Sequence, residues 1–203
     1  MSIKVNIKTT CFFIGISLFC LMVSLAYFTI AVNAVQVNSS VPYAFYFLSF
    51  IAVIATCFYL ICVLRYVHES NSIITAFIVA LIYSIIRFVL PFLLGKQSNP
   101  MIELYFNYLF VVIIRIYVLI NIFRIRNQVL APPFKLFGII SLSVIVLKIL
   151  SPFLHLPEKL LREAFNLLEL LPLVAVIFIL FKVITLLNSE KKPLGLFSID
   201  KSL

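Results

Sequence analysis

The chain has 203 residues, 64% of them hydrophobic and 11% charged, with a mean hydropathy of +1.22 and a formal net charge of +9. Soluble domains are typically about 45–50% apolar and about 25% charged, so a water-exposed globule is excluded and lipid is the expected solvent. The length leaves no room beside membrane spans for a soluble domain of about 50 residues or more.

A bilayer core about 30 Å thick is crossed by about 20 apolar helical residues. Six segments reach that length, at about 11–33, 43–64, 73–94, 102–123, 134–154 and 165–187. Continuous runs of this kind exclude the alternating pattern of a barrel, and lipid requires every backbone group to be satisfied within the span. The fold class expected is an all-α integral membrane protein. Its six transmembrane helices pair as three hairpins in a single domain over 1–203, with a short tail at 188–203.

The first segment has a basic start in Lys4 and Lys8, and Val32-Asn33-Ala34 loosely resembles a cleavage site. Its apolar run of about 22 residues exceeds the 7–15 of a signal peptide, so it reads as a retained first span. Asn38-Ser39-Ser40 in the next break is formally a glycosylation sequon. The second segment carries Cys57 and Cys62, which lack the C-x-x-C redox spacing. With Cys11 and Cys20 they read as small apolar residues. The third ends in Arg87-Phe88-Val89-Leu90-Pro91-Phe92-Leu93, and the fourth holds Arg115 and Asn121. The fifth ends in Lys148-Ile149-Leu150-Ser151-Pro152-Phe153-Leu154, repeating the cation and Pro-Phe-Leu of the third 61 residues on. The sixth opens with Phe165-Asn166, as the fourth does with Phe106-Asn107, and contains Glu169 and Pro172. These matches fit a repeated hairpin of about 60 residues, a frequent device of transporter folds.

Loop charges give the orientation. Lys4, Lys8, Arg65, Arg124, Arg126, Lys135, Lys191, Lys192 and Lys201 fall on one side, against Lys96, Lys159 and Arg162 on the other. The positive-inside rule places both termini in the cytoplasm. The net positive charge is then topological, and no basic run interleaved with aromatics outside the spans calls for nucleic acid.

Charges within the spans form the candidate site. A charge at the bilayer centre costs about 2.5–3.5 kcal/mol on insertion scales. Counting about 1.5 Å per helical residue, Arg87, Lys148 and Glu169 share a layer roughly 6–11 Å below the outer boundary. Pro91, Pro152 and Pro172 fall in the same layer and are expected to kink their helices. Arg115 lies deeper and is the single residue expected to matter most. Arg115, Arg87, Lys148 and Glu169 are thus the candidate binding residues for a small anionic ligand. Snorkelling cations in a structural ion-pair network are the plainer account of the same charges.

Chemistry is otherwise sparse. Two histidines, His68 and His155, and scattered carboxylates offer no metal or haem site. No nucleophile motif, phosphate loop or dinucleotide fingerprint occurs. No catalytic residue, metal or cofactor is expected. The function expected is a small bacterial cytoplasmic-membrane subunit working with membrane protein partners or further copies of itself, in assembly, immunity or a complex. The alternative is a carrier or receptor for a small anionic solute or lipid.

Overall fold

The structure, a computed structural model, describes residues 4–32, 40–94, 110–150, 167–168 and 170–191. Regular structure among them is helical: α1 (Ile7–Val32), α2 (Ser40–Tyr66), α3 (Asn71–Leu94), α4 (Val111–Ile122), α5 (Ala131–Leu150) and α6 (Leu171–Lys191). Each overlaps one of the six expected spans. Residues 102–109 of the fourth span, 151–154 of the fifth and 165, 166 and 169 of the sixth lie outside the described residues, and with them Glu169, the two Phe-Asn pairs and Pro152.

Among the described residues, three stretches are long and apolar enough to cross a membrane: Ile7–Ala26, Phe47–Tyr66 and Leu171–Glu190. Shorter apolar stretches run over Asn71–Ile86, Val112–Ile122 and Ala131–Leu147. Large apolar side chains such as Phe12, Met22, Ile82, Ile113 and Phe181 stand on the outer surface of these helices. Water would penalise so much exposed apolar area, whereas lipid does not. The described residues form an all-helical bundle compatible with a membrane protein.

Helix order in space follows helix order in sequence. Each helix packs on the next, from α1 through α6, and α6 packs back on α1, so the bundle closes into a ring. Helix directions alternate. The α2–α3 and α4–α5 turns, the start of α1 and the end of α6 therefore gather at one end, here the loop end. Contacts there include a hydrogen bond from the Tyr66 hydroxyl to Glu190, joining the last turns of α2 and α6.

Among the described residues a buried core cluster fills the ring at this end. Phe13 of α1 stacks on Tyr59 of α2 with ring centroids 4.3 Å apart. Phe77 of α3 meets Phe134 of α5 edge-on at 5.7 Å. Leu60, Leu64, Ile73, Ile122, Leu180 and Val183 complete the same cluster. Between α4 and α5, Gly138 lets the helices approach closely: a Cβ there would lie 2.7 Å from Leu119 Cδ1. Small residues at lipid-solvated interfaces act in this way, because dispersion contacts and not water exclusion hold such helices together.

Helix starts obey local rules. Asn6 and Thr9 form a reciprocal capping box before α1, with Asn6 Oδ1 accepting from Thr9 N at 2.9 Å and Thr9 Oγ1 from Asn6 N at 3.1 Å. Pro132 and Pro133 occupy the first turn of α5, where a missing N–H leaves no gap. Pro172 likewise sits in the first turn of α6, following Leu171. Residues 167 and 168 are also helical and Leu170 lies in a turn, so the helical run is interrupted just before Pro172, whose fixed φ suits a first turn.

Candidate functional site

Among the described residues, polar side chains tie several turns and helices together at the loop end. Helix α2 finishes with Glu69 N donating to Leu64 O at 3.0 Å and His68 N to Arg65 O at 3.1 Å. These are the paired bonds of a Schellman ending, which requires a left-handed residue between them. That residue is His68, with φ 54°. Glycine would fill the position with less strain, though histidine enters this region more readily than most side chains.

The turn delivers Glu69 beneath the α4–α5 connection, where it is 7% exposed. Its Oε1 accepts the main-chain N–H of Arg126 at 3.0 Å and of Asn127 at 2.8 Å. Its Oε2 accepts a second, longer contact from Arg126 N at 3.3 Å. A buried carboxylate is costly unless hydrogen-bonded, and these N–H donors meet that need. Asn127 then caps the turn leading into α5, its Oδ1 accepting from Val129 N and Leu130 N at 3.0 and 3.1 Å. Glu69 thus pins two turns that are far apart in sequence.

A second tie lies beside it. Asn121, 2% exposed in the last turn of α4, accepts from Ser72 Oγ at 2.6 Å and donates to Tyr117 O at 2.9 Å. A third joins α1 to α2, where the hydroxyls of Thr10 and Tyr59, both fully buried, lie 2.6 Å apart.

Two open hollows flank the 67–70 turn. One, about 540 Å³, is lined by Arg65, His68, Glu69, Asn71, Ile74, Thr75 and Ile78. The other, about 340 Å³, is lined by Val67, His68, Glu69, Ser70, Arg126 and Asn127. His68 and Glu69 face both. Among the described residues no cluster of histidine, cysteine or carboxylate groups could hold a metal ion, and the four cysteines are free thiols.

Of the expected quartet, only Arg115 has its side chain among the described residues. It is exposed on α4, near the outward-facing Ile113 and Ile116. The backbones of Arg87 in α3 and Lys148 in α5 are described, but their side chains are not, and Glu169 is not described at all. Helical periodicity still gives depth. Arg87 stands more than four helical turns from the loop end counting from Asn71, and so does Lys148 counting from Ala131. Arg115 stands only about two turns from it, counting back from Ile122. The two matched cations share a layer, as their sequence positions imply, and Arg115 lies in another.

Glu69 stands in a turn, outside the apolar runs whose charges mark the expected site. The available signal was its isolation: it is the one acid in the two turns that otherwise carry Arg65, Arg124 and Arg126. No protein-family model, curated protein or solved structure matches the chain.

Proposed function

We propose that this protein is a multi-pass subunit of a cytoplasmic membrane, without catalytic activity of its own, that acts through contacts with partner proteins. In this reading all six helices cross the bilayer and both termini lie on the loop-end, cytoplasmic side. The observation that carries it is the use made of four buried polar side chains at the loop end. Glu69, Asn121, Thr10 and Tyr59 are all engaged in tying helices and turns to one another. Their product is a braced end that displays exposed Arg65, His68, Arg124 and Arg126. A braced, cationic surface on the cytoplasmic side supports docking, because preorganised groups lose little freedom on binding. Charge complementarity then speeds encounter with an acidic partner.

The carrier reading draws on ring order: α4 lies between α3 and α5, so Arg87, Arg115 and Lys148 come from three neighbouring helices. Their depths count against one shared site, because Arg115 lies more than two helical turns closer to the loop end than the other two.

The test is mild-detergent purification of the tagged chain from its own membranes. A membrane protein co-purifying at fixed stoichiometry is expected, with loss of that partner when Arg124 and Arg126 are both replaced by glutamate. A lone monomer, or a partner indifferent to the charge reversal, sinks the docking proposal.

A further inference from the structure

We propose that the larger hollow beside the 67–70 turn is a binding site for the headgroup of an anionic phospholipid, with an acyl chain lying along the α2–α3 furrow below it. The proposal rests on the reading that these helices cross a membrane.

The lining of the hollow is polar at the turn and carries Ile74 and Ile78 along α3. Arg65 and His68, both exposed, and Asn71 supply donors at the rim. A guanidinium binds a phosphate through two parallel N–H groups, and an imidazole N–H adds a third donor. Glu69 is the one acid in the lining, and its carboxylate is already held by the main-chain N–H groups of Arg126 and Asn127. Its carboxylate is directed under the α4–α5 connection and leaves Arg65 as the one cation of the lining. Thr75, Ile74 and Ile78 form the side that continues down α3.

Helical periodicity extends this surface toward the membrane interior. Residues three, four and seven apart share a helix face. Below Ile78 on α3 follow Ile82 and Ile85, both exposed. Seven residues before Arg65 on α2 stands Phe58, and seven before that Ile51, both exposed as well. A guanidinium with imidazole and amide donors at one end of an apolar furrow matches a molecule with a phosphate at one end and hydrocarbon at the other. Basic pockets between helices on the cytoplasmic side bind anionic headgroups by the same chemistry.

His68 adds a separate argument. A left-handed histidine stands where glycine would be less strained, and strain kept at a turn points to use of the side chain. Its imidazole lines the hollow in question.

The full-length protein, taken from carbonate-washed membranes, is placed in nanodiscs of phosphatidylcholine with a minor fraction of phosphatidylglycerol, and retained lipid is read by native mass spectrometry. Recovery in the washed membranes tests the membrane reading by itself. Wild type is expected to retain phosphatidylglycerol selectively. The Arg65→Gln/His68→Asn variant, whose asparagine tolerates the left-handed turn, is expected to lose about fivefold or more of that selectivity, the factor one interfacial cation contributes. Lys4→Gln/Lys8→Gln, which removes two cations from the same end, is expected to retain it. Equal retention by the first variant overturns the proposal, and so does equal loss in the second, which would mean diffuse attraction. Displacement of the lipid by millimolar inorganic phosphate also overturns it, assigning the hollow to a free anion.

Discussion

At the scale of single residues, Glu69 carries more of the architecture than its place in a short turn implies. Two main-chain N–H groups depend on its carboxylate, and both dock on Oε1. Removing the acceptor leaves buried donors unsatisfied, and hydrogen bonds to charged groups contribute about 1.5–3 kcal/mol each. Glu69→Ala is therefore expected to destabilise the protein by about 2–4 kcal/mol, read as earlier thermal unfolding in detergent. Glu69→Gln keeps a carbonyl oxygen in the Oε1 position and is expected to recover most of that loss. A Gln variant as weak as the Ala variant would show that the negative charge, and not the acceptor geometry, holds the turns. Little of this was legible in the sequence. Depth in an apolar run is readable from one dimension, which is how Arg87, Lys148 and Arg115 come to notice. A carboxylate that meets backbone 57 residues away leaves no such trace, because its partners are N–H groups that every non-proline residue carries.

At the scale of elements, the six helices were readable because each is a long apolar run bounded by turn chemistry. Their described ends fall within a few residues of the expected spans wherever the residues are described. Their mutual order was not readable, since apolar periodicity is weak when lipid and core are alike nonpolar. Specific ties settle it, and the α1–α2 tie makes a directional prediction. Thr10 Oγ1 has one proton, and it donates to Asn6 O at 2.8 Å. The Tyr59 hydroxyl must then be the donor across the 2.6 Å contact. Tyr59→Phe removes a donor and leaves Thr10 bonded to Asn6, a loss of about 0.5–1.5 kcal/mol. Thr10→Val removes the acceptor and strands a fully buried phenol, at about 1–3 kcal/mol. The smaller side chain is thus expected to give the more damaging substitution, with the double variant no worse than Thr10→Val alone. Thermal unfolding of the three variants checks it, and the opposite ranking would assign the donor proton to Thr10.

At the scale of the whole molecule, the ring sets what each half of the chain needs from the other. The first half contributes α1, α2 and α3, the second α4, α5 and α6, and the halves meet along two seams, α3 on α4 and α6 on α1. A linear array of hairpins would have only the first of these. The Glu69 tie crosses between halves, as do Ser72 to Asn121 and Tyr66 to Glu190. Each half alone would leave two helix faces uncovered and donors such as Arg126 N without their acceptor. Fragments 1–98 and 99–203 expressed together are therefore expected to assemble in the membrane, so that a tag on one recovers the other. Glu69→Ala in the first fragment should lower that recovery more than it lowers recovery of the intact chain, where the connection between α3 and α4 keeps the local concentration high. Fragments that fail to meet would show that the ring depends on continuity of the chain. Fragments that meet equally well with Glu69→Ala would leave the helix seams, and not the turn, as what closes it.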